Sequence, residues 1–206
     1  YADTPNWKGE SLFEEDLFNK LSEDVDSRGL QIAVHSIGDA AVHRVLNGYE
    51  YARERNGVRD SRHRVEHIEL ILKDDIGRFK ELDVIASMQP VHPPGSDGLP
   101  LEPTISKIGN NRFNQAYAWR SIKEAGGKVT FSTDWPVSNV DPINCISNAL
   151  NRQVWAEGQF DQRLSLIDTL KAYTIGGAYA EFKEHKKGLI QKNYLADIVV
   201  LSDRID

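Results

Sequence analysis

Four short runs of apolar and β-branched residues alternate with helical segments along most of this 206-residue chain. The runs lie at residues 30–35, 64–68, 84–88 and 128–132. Each has the length of a buried strand, and each is followed by a segment with the apolar spacing of a helix. Strands that alternate with helices form parallel sheets with right-handed crossovers. The sequence therefore predicts an α/β fold, and four such units are half of an eight-stranded (β/α)8 TIM-like barrel.

Two segments depart from this alternation. Residues 90–111 are rich in proline and glycine and predict a loop longer than most loops inside compact domains, which is typical of a functional loop. Residues 188–190 and 196–201 have the pattern of two strands with no helix between them. We therefore expect a small β element at the C-terminal end of the chain.

Charge and cysteine content exclude several classes of protein. The formal net charge is −6 and there is no basic run, so we expect no nucleic acid or anionic membrane as a partner. The sequence contains no stretch of about 18 apolar residues, so we expect no membrane-spanning helix. Residues 1–10 lack the pattern of a signal peptide. Cys145 is the only cysteine, which excludes an intrachain disulfide and a cysteine-built zinc site. A reducing compartment fits, and we expect a cytoplasmic location.

Side chains that bind metals stand at the ends of three predicted strands. His35 ends the first strand, His67 lies near the end of the second, and Asp134 follows the fourth. In parallel βα sheets the carboxyl ends of the strands meet at one edge, so these side chains can converge on one ion. Two imidazoles and a carboxylate suit zinc or a similar transition metal. Each residue also has a structural alternative, since Asp134 can cap the turn before Pro136 and either histidine can be a packing or surface residue.

Four motifs at these strands resemble those of one known family. They are QIAVHSIGDAAV at residues 31–42, HRVEHIE at 63–69, IASMQPVH at 85–92 and FSTDWPV at 131–137. In this order they resemble strands five to eight of the amidohydrolase family that includes N-substituted formamide deformylase and the exoenzyme regulatory proteins. The tail at 187–201 resembles the segment that returns from the barrel to a small β-sandwich. The resemblance runs nearly end to end.

The resemblance implies a domain organisation and a metal site. Residues 1–184 would be the C-terminal half of the barrel, and residues 185–206 would be strands of the small β-sandwich domain. His35, His67 and Asp134 would hold a divalent metal, which we expect to be zinc, with one or two ions in the full-length enzyme. Asp134 would also be the base that takes a proton from the attacking water. The implied activity is hydrolysis of a C–N bond in a small amide or formamide substrate.

Three further residues are expected to contact the substrate. Gln89 and His92 follow the third strand and could donate hydrogen bonds to the substrate or to the developing oxyanion. A role in fixing the loop beside Pro90 is the alternative for both. Trp135 is adjacent to Asp134 and could line the substrate pocket.

The sequence departs from the family pattern in ways that predict an incomplete protein. No His-x-His motif occurs in the 206 residues, and the family's strand-four lysine would precede Tyr1. We expect a fragment that binds metal weakly, if at all, and is inactive alone. Half a barrel would also expose two sheet edges, so we expect a homo-oligomer in which two copies pair these edges.

Two other functions stay open. One is a non-catalytic exoenzyme regulatory protein that keeps the fold and acts by binding. The other is a flavodoxin-like binding module, which would need a phosphate-binding loop after the first strand. Residues 36–39 (SIGD) make a poor loop of that kind, and the Gly-x-Gly-x-x-Gly fingerprint is absent.

Overall fold

A computed structural model of the protein describes residues 1–97 and 99–205. Its sheet has four parallel strands in the order β1-β2-β3-β4, which confirms the predicted α/β class. Each strand has one neighbour in chain order on either side, except that β1 and β4 form the two edges. The strands are β1 (Ala33–Ser36), β2 (Arg64–His67), β3 (Ile85–Met88) and β4 (Lys128–Phe131). The half-barrel and the strand numbers five to eight remain predictions.

Helices follow the strands and fill the connections between them. The two long helices α1 and α2 pack against each other, and α2 also contacts β1. Two 3-10 helices lie at Lys73–Asp75 and Asn110–Gln115. The α-helices are α1 (Glu15–Ser27), α2 (Asp39–Asn56), α3 (Arg78–Glu81), α4 (Thr104–Ile108), α5 (Trp119–Glu124), α6 (Pro142–Asn151), α7 (Leu166–Tyr173) and α8 (Ile175–Ala180). Among the described residues, no helix combines the length and the apolar character needed to span a membrane.

The hydrophobic core lies between the sheet and the helices that cover it. All four residues of β3 are buried, as expected for an inner strand of a parallel sheet. Phe79, Trp119 and Leu46 are fully buried and belong to one continuous apolar cluster. Burial of each such side chain stabilises the fold by about 1.5–3 kcal/mol. This packing fixes the strands and thereby the positions of the residues at their carboxyl ends.

Arg62, just before β2, binds residues in and after the last helix, α8. Its guanidinium donates to both carboxylate oxygens of Glu184, at 2.8 and 2.9 Å, and to Asp60. It also lies over the rings of Tyr179 and Phe182, at 3.8 and 4.3 Å from their centroids. These hydrogen bonds, to Glu184 first and then to Asp60, raise the pKa of Arg62. The contacts hold the region after α8 against the sheet.

The tail does not contain the two predicted strands. The structure assigns no strand to residues 185–205, so this part of the predicted fold is corrected. Ile190 and Val200 are each 91% exposed, although their sequence surroundings favour strands. A strand forms only where a second backbone takes its hydrogen bonds, and the described part of the chain offers the tail no such partner. The domain boundary after residue 184 stays a prediction.

Candidate metal centre

The carboxyl ends of the strands bring the predicted site residues to one edge of the sheet. His67 is the last residue of β2 and pairs across the ladder with Ser36, the last residue of β1. His35 immediately precedes Ser36, and Asp134 lies just beyond the end of β4. Because all four strands are parallel, residues that end or follow them share this edge.

Four side chains meet there. Nδ1 of His35 lies 2.6 Å from Nε2 of His67. Ligand atoms of His67, His92 and Asp134 all lie within 4.8 Å of one another. Of the three predicted ligands, His67 and Asp134 therefore belong to this group, and His35 contacts it through His67. His92, which we expected to contact substrate, lies inside the group.

The donor set fits a divalent transition metal. Imidazole nitrogens together with one carboxylate are ligands that zinc and similar ions accept. Nε2 of His92 is buried, lies 3.6 Å from Oδ2 of Asp134, and has no hydrogen-bond partner among the described residues. Leaving a buried polar atom unpaired costs about 1–3 kcal/mol. An ion coordinated here would remove that penalty.

The backbone at two of these residues has an unusual conformation. His67 has a φ of 78° and Asp134 a φ of 59°, both in the left-handed region. This conformation costs an L-residue roughly 1–2 kcal/mol. The surrounding packing must hold it in place, and such residues cluster at functional sites. In both cases the chain turns away from the strand while the side chain stays at the sheet edge.

Gln89 lies behind His67. It is 4% exposed, and its Oε1 accepts a hydrogen bond from Nδ1 of His67 at 3.0 Å. Its Nε2 donates to Oγ of Ser132 at 3.1 Å. The amide therefore bridges the ends of β2 and β4. Nδ1 of His67 carries the ring hydrogen and donates it to Gln89. Nε2 of His67 therefore has no hydrogen, and its lone pair faces the other side chains of the group.

Trp135 extends outward from the site. It is 67% exposed and directly follows Asp134 in the chain. Its backbone N–H donates to Oγ1 of Thr133 at 3.2 Å, which shapes the turn after β4. A large exposed aromatic ring beside the group offers an apolar surface to a molecule that approaches the sheet edge.

Two residues near the group escaped the sequence analysis. Oε1 of Glu69 lies 3.7 Å from Nδ1 of His92, and Oε2 accepts a hydrogen bond from the Tyr117 hydroxyl at 2.9 Å. Burial raises the pKa of Glu69 and of Tyr117 and lowers the pKa of His92. Glu69 stands two residues after His67 in the quoted HRVEHIE motif, which was a usable signal. No feature of the sequence indicated Tyr117, because it is far from the four motifs along the chain.

The predicted loop at residues 90–111 contains the short helix α4 and is held beside the site. The Trp155 indole N–H donates to the carbonyl of Pro94 at 3.0 Å. Just after the loop, Arg112 pairs with Asp39 at the start of α2, at 2.9 Å. These contacts come from separate parts of the chain. The two contacts therefore hold the chain at Pro94 and at Arg112.

Comparison with known proteins identifies relatives of the whole chain. A family model described as "Amidohydrolase family" matches residues 1–206. Protein LONG AFTER FAR-RED 3 of Arabidopsis thaliana is 32% identical over 206 residues, which are 98% of this chain and 35% of that protein. N-substituted formamide deformylase of Arthrobacter pascens is 24% identical over 204 residues, which are 96% of this chain and 36% of that protein.

The fold is also similar to solved structures. The crystal structure of an uncharacterized metal-dependent hydrolase from Pyrococcus furiosus has a TM-score of 0.76 and 32% sequence identity. The match covers 95% of this chain and 38% of that one. The chain thus spans little more than a third of the length of these relatives.

Proposed function

Because this chain belongs to the amidohydrolase family, we propose that it is part of a metal-dependent hydrolase of C–N bonds of the amide or formamide type. The observation that carries the proposal is the convergence of His67, His92 and Asp134 within 4.8 Å, with His35 in contact with His67. The similar structure from Pyrococcus furiosus, itself called a metal-dependent hydrolase, supports it. Since the chain spans little more than a third of its relatives, the activity is proposed for the whole protein.

The proposed metal ligands are His35, His67 and Asp134, and the proposed ion is zinc. A divalent ion supplies a Lewis acid that polarises the substrate carbonyl and makes water a nucleophile near neutral pH. Gln89 holds the ring of His67 in the tautomer that leaves Nε2 free for the ion. His92 offers a further nitrogen in reach of the same group.

Asp134 has the position of a general base. Its carboxylate lies at the edge where the imidazoles meet, and its side chain is 26% exposed, so a water molecule can reach it. In the proposed reaction it accepts a proton from the attacking water and passes that proton to the leaving nitrogen. The bond that breaks is the C–N bond, and the new bond joins the carbonyl carbon to the water oxygen.

The substrate is proposed to be a small amide or formamide. The relative from Arthrobacter pascens is named for a reaction on N-substituted formamides, and this supports the class. Trp135 would pack against the nitrogen substituent, because its exposed ring flanks Asp134. Gln89 and His92 were predicted to donate to the substrate, but Gln89 is occupied by His67 and Ser132, and the two ring nitrogens of His92 face Glu69 and Asp134.

An assay of the whole protein tests the proposal. Release of formate or carboxylate from N-alkyl formamides and acetamides should require a divalent metal and be lost after chelation. The D134N variant keeps the shape of the side chain but removes the base, so we expect its rate to fall by about 10²–10⁴-fold. Hydrolysis that survives both chelation and D134N would contradict the proposal. No hydrolysis by the metal-loaded wild type would also contradict the proposal, and it would leave the regulatory alternative, in which the fold acts by binding without a reaction.

The partner proposals follow from the sheet. We propose that copies of this chain associate through the open edges of β1 and β4, each of which pairs with one neighbouring strand. A reducing, cytoplasmic environment is proposed because Cys145 is the single cysteine and is buried.

A further inference from the structure

His67 and His92 present their rings to the site in the same way. In each ring Nδ1 faces an acceptor on the outer side, which is Gln89 for His67 and Glu69 for His92. In each ring Nε2 faces inward, toward His35 in one case and Asp134 in the other. Histidines that bind metals almost always give their second ring N–H to such an outer acceptor, which fixes the tautomer.

Glu69 is itself held in place. The hydroxyl of Tyr117 donates to its Oε2 at 2.9 Å, and the backbone N–H of Tyr117 donates to the carbonyl of Glu69 at 2.8 Å. The buried guanidinium of Arg152 donates to the carbonyl of Tyr117 at 2.7 Å. Tyr117 is therefore fixed at both ends, and it leaves Oε1 of Glu69 directed at His92.

We propose that Glu69, held by Tyr117, is a positioning residue that keeps the proton of His92 on Nδ1, so that Nε2 is available as a metal ligand. This inference rests on the proposed metal-dependent function. Glu69 does not touch the ion or the substrate in this role. Its effect passes through the ring of His92.

Glu69 and His92 are close to each other but do not form a hydrogen bond in this structure. At 3.7 Å the two atoms are roughly 0.7 Å beyond an ordinary hydrogen bond. Catalytic hydrogen bonds are often long in the unliganded protein and shorten in the complex.

The test measures the tautomer and the metal affinity separately. The 206-residue chain is labelled with ¹⁵N-histidine, and long-range ¹H–¹⁵N spectra assign the tautomer of His92, with H92Q to identify its signals. We expect Nδ1–H in the wild type and a shift toward Nε2–H in E69A. Zinc affinity in E69A should fall by about 10–100-fold. Y117F keeps the carboxylate but frees it, so both effects should be smaller and in the same direction.

E66Q is the matched control. Glu66 lies in β2, three residues before Glu69, has a similarly low exposure and pairs with Arg64, so its variant should leave the His92 tautomer and the zinc affinity unchanged. The inference is overturned if E69A keeps the wild-type tautomer of His92 and binds zinc with an affinity within twofold of the wild type, whatever the melting temperature does. If E69A does not fold, the same two readouts in Y117F decide.

The outcomes separate this inference from the proposed function. Tight zinc binding by the wild type with no effect of E69A would sink the role of Glu69 and leave the metal centre standing. A tautomer shift in E69A without any zinc binding by the wild type would support the role of Glu69 in orienting His92 and contradict metal binding by this chain.

Discussion

Nδ1 of His35 lies 2.6 Å from Nε2 of His67, across the ladder between β1 and β2. At this distance one of the two nitrogens must carry a hydrogen, and Gln89 already takes the hydrogen on Nδ1 of His67. The shared hydrogen therefore belongs to His35. A metal ion bound to both of these nitrogens would require this hydrogen to leave Nδ1, and the neutral His35 ring would then carry it on Nε2.

Removal of His67 should abolish zinc binding by this chain. Loss of a residue that only orients a ligand typically lowers metal affinity by about 10- to 100-fold. We expect the zinc affinity of H67Q to fall further than this, because the substitution removes a proposed ligand. H185Q changes an exposed histidine away from the group and should match the wild type. Isothermal titration with zinc measures both. The wild-type affinity should fall short of nanomolar, because the sequence contains no His-x-His pair, and equal affinities in H67Q and wild type would exclude this site.

The sheet could be predicted because its signal is local. Apolar runs at 84–88 and 128–132 are bounded by polar residues and glycine, and β3 and β4 lie inside them. The proximity of His67 and Asp134 could be predicted for the same reason, since a parallel sheet gathers the residues at its strand ends. The broken helix at 73–81 was less predictable, because a 3-10 turn and an α-helical turn share one apolar pattern.

Long-range relationships were beyond the sequence. His92 lies beside His67 and Asp134 because the chain turns back after β3, and local propensity does not specify that turn. Glu69 and Tyr117 are 48 residues apart, and nothing in the sequence pairs them. The tail failed for a related reason, since Val199 and Val200 favour a strand but a strand also needs a partner.

Stability should fall as the pH drops below about 6.5 because of His63. Nδ1 of His63 accepts from the backbone N–H of Ile32, so Nε2 donates to Asp26 and the ring is neutral. Burial lowers the pKa of His63 from its usual 6.5. As the pH falls, His63 is protonated in the unfolded chain at a higher pH than in the folded protein. Between 6.5 and the lower folded pKa of His63, protonation therefore favours unfolding. Each unit of depression corresponds to about 1.4 kcal/mol.

Urea unfolding measures how the free energy of unfolding depends on pH. The useful range is pH 5 to pH 7.5, about one unit or more to either side of the ordinary histidine pKa. H63Q should be less stable at neutral pH but show a shallower dependence on pH in this window. Asp26 does not interfere: burial raises its pKa, but hydrogen bonds from Asn56 and Arg59 outweigh this and bring it below the usual 3.8. Its contribution is therefore lost only at more acidic pH. An unchanged slope in H63Q would contradict the assignment.

Loss of Arg62 should destabilise the fold substantially. Its buried guanidinium joins Asp60, Glu184 and the two aromatic rings after α7. Charge-assisted hydrogen bonds and ring contacts together predict a loss of about 2–3 kcal/mol in R62A. R62K should lie between, because an ammonium cannot bind two carboxylates in the same plane.

R28A provides the comparison for Arg62. Arg28 forms an ion pair with Asp24, but the two side chains are 64% and 57% exposed. Such surface pairs contribute little to stability, because solvent screens the two charges and both side chains lose conformational freedom. Free energies of unfolding from urea titration should therefore separate R62A from R28A by more than 1 kcal/mol. Similar values for the two variants would show that the Arg62 cluster does not anchor α8.

Association through β1 can be tested with a proline. The carbonyls of Ile32 and Ser36 accept hydrogen bonds from β2, so alternate residues on β1 face the sheet and Ala33 faces the open edge. A proline at position 33 therefore removes an unpaired N–H without breaking a bond to β2, and edge strands tolerate proline in this position. Light scattering across the micromolar range should show the wild-type mass rising toward a dimer. A33P should stay monomeric with unchanged unfolding, whereas A33S should behave like the wild type. A monomeric wild type at every concentration would show that the open edge of β1 does not recruit a second copy.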